Sequence, residues 1–224
     1  MSSPNHSFSR WFKGTGSTDK KPSEDLKSAP RVSRRSIGLG EFMRSLKGTG
    51  EEKLSVLDLG STSPANIAFL TELGVRVYTE DILRACKDPE YVVRDAEGNE
   101  TFEAEKFFRE NLCYPENQFD AVLVWDATDY LPEPLVKPLV DRIYSVLKPH
   151  GTLLAFFHDK DAGPDMPYCR YHIVQPDTLE LETRPSQRLQ RIFNNRHVEN
   201  LFKDFASRKF FLGKDNFREV IVVR

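Results

Sequence analysis

The sequence predicts an α/β fold: a doubly wound, mostly parallel sheet with helices on both faces, finished by an antiparallel hairpin. Short apolar runs ended by Gly, Asp or His (LSVLDLG, VRVYTED, FDAVLVWD and TLLAFFH) alternate with helical stretches, and strands alternating with helices build parallel sheets. The final RKFFLGKDNFREVIVVR is two β-rich runs joined by Gly213, Lys214, Asp215 and Asn216, a hairpin pattern. With 224 residues, 39% of them apolar, the chain suits one such domain and a tail rather than two domains.

Residues 1–47 hold ten Lys or Arg against four Asp or Glu, a balance of +6 that leaves −8 for the rest of a chain whose net charge is −2. Residues 1–35, rich in Ser, Pro, Gly and Lys, have too little apolar surface to offset chain entropy and are expected as a disordered basic tail, with the domain over 36–224. The RVSRRS cluster of the tail could touch nucleic acid or another acidic surface, although a solvated tail is the plainer reading. The start lacks the apolar core of a secretory signal, and no apolar run approaches the roughly 18 residues of a membrane span. Cys86, Cys113 and Cys169 are scattered, which suggests neither a disulfide framework nor a zinc ribbon and makes a reducing cytoplasm the default. No HxH or HExxH spacing occurs, so no metal is expected.

The domain is expected to open with a short amphipathic helix in SIGLGEFMRSLKG, with Ile37, Phe42, Met43 and Leu46 on its apolar face. LSVLDLG is then a buried strand, Pro64 to Leu73 a helix, and VRVYTED a second strand. Residues 82–118 offer one helix around Glu103 to Glu110 and no convincing strand. FDAVLVWD is the central strand, PLVKPLVDRIYSVLKPHG a helix, and TLLAFFH the last parallel strand. MPYCRYHIVQPDTLELE interrupts the helix expected next, and LQRIFNNRHVENLFKDF resumes it.

These segments, in this order, resemble the class I S-adenosylmethionine-dependent methyltransferases over roughly residues 52–224. VLDLG with Gly60, the acid ending the second strand, LCYPENQFD, LKPHG and the closing hairpin carry the resemblance. It implies a Rossmann-like sheet, S-adenosyl-L-methionine as cofactor, and a cofactor site formed by Asp58, Gly60, Ser61, Thr62, Ser63, Asp81, Asn111, Leu112 and Trp125. Asp81 lies at the spacing from Gly60 where an acid accepts hydrogen bonds from ribose hydroxyls. Its neighbour Glu80 points to the opposite side of the pleat. Phe108 could pack on a purine face, although an ordinary core residue is the plainer reading.

The turn departs from the family where its second and third glycines would stand, at Thr62 and Pro64. Ser63 can cap the following helix and Pro64 suits its first position, so the turn is organised, and its helix N-terminus still offers free N–H groups. Side chains at 62 and 64 nonetheless crowd the space of a ribose. Two functions therefore stay open. One is a methyltransferase acting on a small molecule or protein side chain; the other is a non-catalytic methyltransferase-fold binding or regulatory module that has lost the cofactor.

For chemistry, WDATDYLPEP and HDK follow the central and last parallel strands on the ligand edge of the sheet. They make His158 the candidate general base, since histidine exchanges protons near neutrality, with Asp126 and Tyr130 as further catalytic candidates; Trp125 and Asp129 are possible acceptor contacts. Tyr168, Arg170, His172, Asn195 and His197 are the candidate acceptor-binding residues, in a segment expected to cover the acceptor pocket. The plainer alternative is a strand or flap around Tyr171, Ile173 and Val174, packed on the core.

Overall fold

The computed structural model describes residues 31–47, 53–94, 96–159, 166–185, 187–213 and 217–224. Eleven strands and seven α-helices follow in chain order among them. The first strand, β1 (Arg31–Arg35), precedes α1 (Ile37–Ser45), β2 (Ser55–Asp58), α2 (Pro64–Glu72), β3 (Arg76–Thr79) and α3 (Ile82–Ala85). A small hairpin of β4 (Val92–Arg94) and β5 (Glu100–Phe102) leads to α4 (Ala104–Glu110), β6 (Phe119–Trp125), α5 (Ala127–Tyr130), α6 (Glu133–Val146) and β7 (Leu147–His158). The chain ends with β8 (Cys169–Gln175), β9 (Thr178–Thr183), α7 (Asn195–Leu201), β10 (Ser207–Leu212) and β11 (Phe217–Val223).

The main sheet has the order β10-β11-β7-β6-β2-β3. β3, β2, β6 and β7 run parallel; β11 is antiparallel to β7 and β10 to β11. Alternate residues of each strand face opposite layers. Leu57, Val122, Val124, Leu153, Phe157 and Val220 join the core under α4, α6 and α7. Val56, Leu123, Trp125, Leu154, Phe156 and Ile221 join a second core under α1, α2 and the hairpin β8–β9. The sheet is thus covered on both faces, and its closing hairpin is antiparallel as predicted. The turn expected at 214–216 lies outside the described residues.

Five expectations need correction. The helix expected through LKPHG ends at Val146 and residues 147–151 belong to β7, because Pro149 and the residue before it disfavour helix and the His150 N–H donates to the Arg224 carbonyl instead. The tail does not extend to residue 35: Arg31–Arg35 is a strand, paired with β9 in a separate sheet of order β1-β9-β8. Its arginines answer acids of the same chain, Arg31 with Glu180 (3.2 Å), Arg34 with Glu219 (2.7 Å) and Arg35 with Asp177 (2.8 Å), so composition had hidden charge pairs that only tertiary contact supplies. Residues 1–30 lie outside the described residues. Ile37 is exposed, and Leu39 takes its place on the buried face of α1. A hairpin, β4–β5, lies in the 82–118 segment, with Gly98 at φ 82° in its turn, where glycine carries no steric penalty. Helix resumes only at Asn195, because Gln190 and Arg191 donate their backbone N–H groups to the Asp129 carbonyl instead of to a helical turn. Among the described residues no helix is long and apolar enough to cross a membrane.

Candidate functional site

The carboxyl ends of β2, β6 and β7 bring Asp58, Trp125, Asp126 and His158 to one edge of the sheet. Asp58, the last residue of β2, is buried. Its carboxylate accepts from the Gly60 N–H (3.0 Å), the Trp125 indole N–H (2.6 Å) and the Asn66 amide (3.1 Å). Burial raises its pKa above the ordinary carboxylate range, against the pull of those three donors. Ser63 caps α2 by accepting from Asn66 N, with Pro64 at the first helical position, as the sequence predicts.

Gly60 is required for a reason particular to this chain: a Cβ there would stand 2.4 Å from Trp125 Cδ1. The indole lies on the glycine. Trp125 reaches it through a register shift at the end of β6 and a left-handed φ of 55°, a conformation that bulky residues adopt only where surrounding structure enforces it.

The hairpin β8–β9 lies across the same turn. Arg170 donates to Ser61 Oγ (3.2 Å), and His172 bridges Ser63 Oγ (2.8 Å) and Glu182 (2.7 Å). The Asn66 side chain acts as a strand edge toward the hairpin: its Nδ2 donates to the Tyr171 carbonyl (3.1 Å) and its Oδ1 accepts from Ile173 N (2.7 Å). The Tyr171 ring stacks on Trp125, 5.1 Å between centroids and 3° from parallel, and its hydroxyl donates to Asp126 (2.8 Å). Burial pushes the Asp126 carboxyl up to about 6, with Asp129 adding to the rise while His158 and the Tyr171 hydroxyl oppose it. Tyr168, at the entrance of the hairpin, packs edge-on against Tyr130 at 5.2 Å.

Between Gly60, Ser61, Leu83, Trp125, Asp126 and Tyr171 there remains a cavity of about 10 Å³, room for roughly one water. Asp81 caps α3 by accepting from Arg84 N (3.0 Å), and its charge adds a smaller rise to the one that burial gives the pKa values of Asp58 and Tyr168. Its neighbour Glu80 accepts from Leu112 N (3.0 Å). Asn111 closes α4 and donates to the Tyr91 hydroxyl and the Phe107 carbonyl; Leu112 is buried with φ 57°. Thr62 is exposed.

A second polar cluster occupies the corner between α5 and the end of β7. Asp129 Oδ2 accepts from His158 N (2.7 Å) and faces His158 Nδ1 (2.8 Å), and all of it is buried. Burial raises the Asp129 pKa, while His158 and Arg218 oppose the rise. Among the described residues His158 Nε2, Asp129 Oδ1, Tyr130 Oη and Thr128 Oγ1 are buried without a hydrogen-bond partner. Arg218 fastens the outer side of the corner, donating to the carbonyls of His158 and Phe193 and to Asn195 Oδ1.

The expected acceptor residues therefore separate. Tyr168 and Arg170 line the cavity at Gly60, and His172 is buried with both ring nitrogens engaged. Asn195 and His197 are exposed on α7, and His197 borders a different pocket, of about 430 Å³, beside Lys137 and Phe193. The segment 168–197 is thus no single lid. Its first half is a core hairpin, the flap named as the plainer alternative, and it meets the predicted cofactor turn. Asn66 and Glu182 carried no sequence signal. The pairing of Asp129 with His158 is visible only once β6 and β7 lie side by side.

A family model for a methyltransferase domain matches residues 33–205; the chain belongs to that methyltransferase family. Solved structures of similar fold include three methyltransferases. One is the 1,6-didemethyltoxoflavin-N1-methyltransferase of Burkholderia thailandensis, solved with 1,6-didemethyltoxoflavin and S-adenosylhomocysteine (15% identity, 84% of this chain and 79% of that one, TM-score 0.48). The others are S-adenosylmethionine-dependent methyltransferases of Archaeoglobus fulgidus (13%, 83% and 91%, 0.49) and Aquifex aeolicus (16%, 84% and 91%, 0.43). No curated protein matches the chain.

S-adenosylmethionine does not fit the cleft in this arrangement. Ligand pockets of that class run to about 300 Å³ or more, the cavity at Gly60 is far smaller, and the Ser61 and Ser63 hydroxyls are held by Arg170 and His172.

Proposed function

We propose that the chain is an S-adenosyl-L-methionine-dependent methyltransferase, acting on a small molecule or protein side chain whose methylated atom first loses a proton. Family membership supports methyl transfer, and one observation carries the rest. The buried His158–Asp129 pair at the carboxyl end of β7 leaves Nε2 as the ring nitrogen without a partner among the described residues. With Nδ1–H directed at Asp129, Nε2 presents its lone pair. Asp129 is the positioning residue: it fixes the tautomer and balances the charge His158 gains on accepting a proton. Tyr130, packed edge-on against His158 at 5.6 Å, walls that side.

The test follows labelled methyl transfer to a small-molecule cell fraction, with calorimetry of S-adenosylhomocysteine alongside. Asp129→Asn should lower transfer by roughly 10²-fold or more and leave S-adenosylhomocysteine affinity within a few-fold. Equal transfer by both forms would remove the dyad from the reaction. A second reading, a non-catalytic binding module, is favoured by the Gly60 turn, whose serines and buried acid already hold partners from the chain. Failure of the folded protein to bind S-adenosylhomocysteine up to millimolar concentration would select it.

A further inference from the structure

The groups that would meet a cofactor at Gly60 face an occupant from the chain itself. The Trp125 indole rests on the glycine and donates to Asp58. The Tyr171 ring lies flat on that indole and donates to Asp126, and Phe156 supports both rings edge-on, at 5.6 and 5.4 Å. Stacked rings over a glycine, with an N–H directed into a buried carboxylate, offer the turn what a flat, cationic ligand would offer: a π-face, a donor and excluded water.

The occupant is held differently from the hairpin behind it. The backbone of β8 is anchored by Asn66 and paired with β9. The two rings are tied at their tips by one hydrogen bond each, and Trp125 is in the left-handed region at φ 55°, where a bulky residue stores strain. Rotation of two side chains, with relaxation of one backbone dihedral, would open the space above Gly60 while leaving the sheet pairing intact.

Building on the methyltransferase reading, we propose that the stacked Trp125–Tyr171 pair is a removable plug of the cofactor cleft. An adenosyl ligand binds only after the indole leaves Gly60 and the phenol leaves Asp126. When the indole withdraws, Asp58 loses a donor in a buried site and needs a replacement, which an amino-acid ammonium supplies. Apparent affinity is then reduced by the fraction of molecules that are closed. Loosening either tip should tighten binding without adding any contact to the ligand.

The experiment uses S-adenosylhomocysteine as probe and the full chain carrying Trp11→Phe, which leaves Trp125 the sole tryptophan. Titration should change the Trp125 emission in step with calorimetric binding. Tyr171→Phe, which keeps the ring and removes its bond to Asp126, should bind about fivefold tighter, the equivalent of one ordinary hydrogen bond. Trp125→Phe should do the same by releasing Asp58. Circular dichroism establishes that each variant is folded, and the emission measurement needs neither tip variant. Binding with unchanged emission, or with unchanged affinity in folded Tyr171→Phe, would overturn the plug and leave the cofactor assignment standing. No binding by the parent or by either folded variant would overturn both, because the rings would then be a permanent core.

Discussion

The turn after β2 and the corner between α5 and β7 lie on the same edge of one sheet, yet they treat their polar groups in opposite ways. At the turn, Asp58 has three donors, and Ser61, Ser63 and Asn66 all have partners. At the corner, His158 Nε2, Asp129 Oδ1, Tyr130 Oη, Thr128 Oγ1 and Arg218 Nε have none among the described residues. Buried polar groups cost free energy unless paired, so among the described residues the first region is complete and the second is not. The saturated region is the one that resembles a cofactor site in sequence. The unsaturated one holds the buried His158–Asp129 pair. Resemblance in a motif and readiness for a ligand are therefore separate properties, and side-chain hydrogen bonds tell them apart.

Turn and hairpin are joined most tightly at Asn66, whose single amide links Asp58 to the backbone of Tyr171 and Ile173. Asn66→Ala removes partners from three buried groups at once, at about 1–3 kcal/mol for each group left unpaired. A loss of about 3–5 kcal/mol in denaturant unfolding is expected, with earlier hydrogen exchange over 169–175. A loss below about 1 kcal/mol would mean that turn and hairpin are independent, and the turn could no longer be called complete.

How far the sequence foretold these regions depends on the range of the interactions that build them. β2, β6, β7, α2 and the closing hairpin rest on local patterns: apolar runs, a Ser-Pro cap and a hairpin pattern around Gly213. Each appears where expected except β7, which begins at Leu147 and so takes in the LKPHG stretch expected to end the preceding helix. The cap at Ser63 was legible down to its hydroxyl. The hairpin β8–β9 was legible as a break in the helical pattern, but not as the neighbour of Gly60. Its docking depends on Asn66 and Ser63 meeting residues more than a hundred positions away. The arginines of 31–35 show the same limit: their local composition reads as a basic tail, and only Glu180, Glu219 and Asp177, far along the chain, turn them into a strand with paired charges. His158 was legible as a base by its position after a strand, whereas Asp129 as its support needed the register between β6 and β7.

Asp126 stands between the two regions, accepting from Tyr171 on one side and neighbouring Asp129 and His158 on the other. Its pKa, about 6 in the fold, exceeds the ordinary carboxylate value, so between roughly pH 4 and 6 the folded protein keeps a proton that the unfolded chain releases. Stability from this group is full below about pH 4 and is lost as pH rises through 6, by on the order of 2–3 kcal/mol. Asp126→Asn keeps an acceptor for the Tyr171 hydroxyl and has no charge to bury. It should match the parent at pH 4 and exceed it by about that amount at pH 7.5, measured by unfolding at both values. A parent-minus-variant difference that does not change with pH would show that the charge on Asp126 is solvated, and the boundary between the two regions would then be wet.

His197 lies outside both regions, and its removal should change least. His197 was a candidate acceptor residue by composition, but its side chain is exposed on α7 and its backbone N–H is held by the Asn194 cap at 2.9 Å. It borders the pocket beside Lys137, not the cavity at Gly60 and not the Asp129 corner. Exposed substitutions away from caps and buried networks usually stay within about 0.5 kcal/mol, and His197→Ala leaves the Asn194 cap intact because the bonded donor is the backbone. Unfolding free energy, S-adenosylhomocysteine affinity and methyl transfer should therefore all match the parent within error. Loss of transfer alone, with stability and cofactor affinity unchanged, would place an acceptor contact on α7. The ligand edge would then reach past the His158 corner to the 430 Å³ pocket, and the unsaturated region would be larger than the buried atoms alone define.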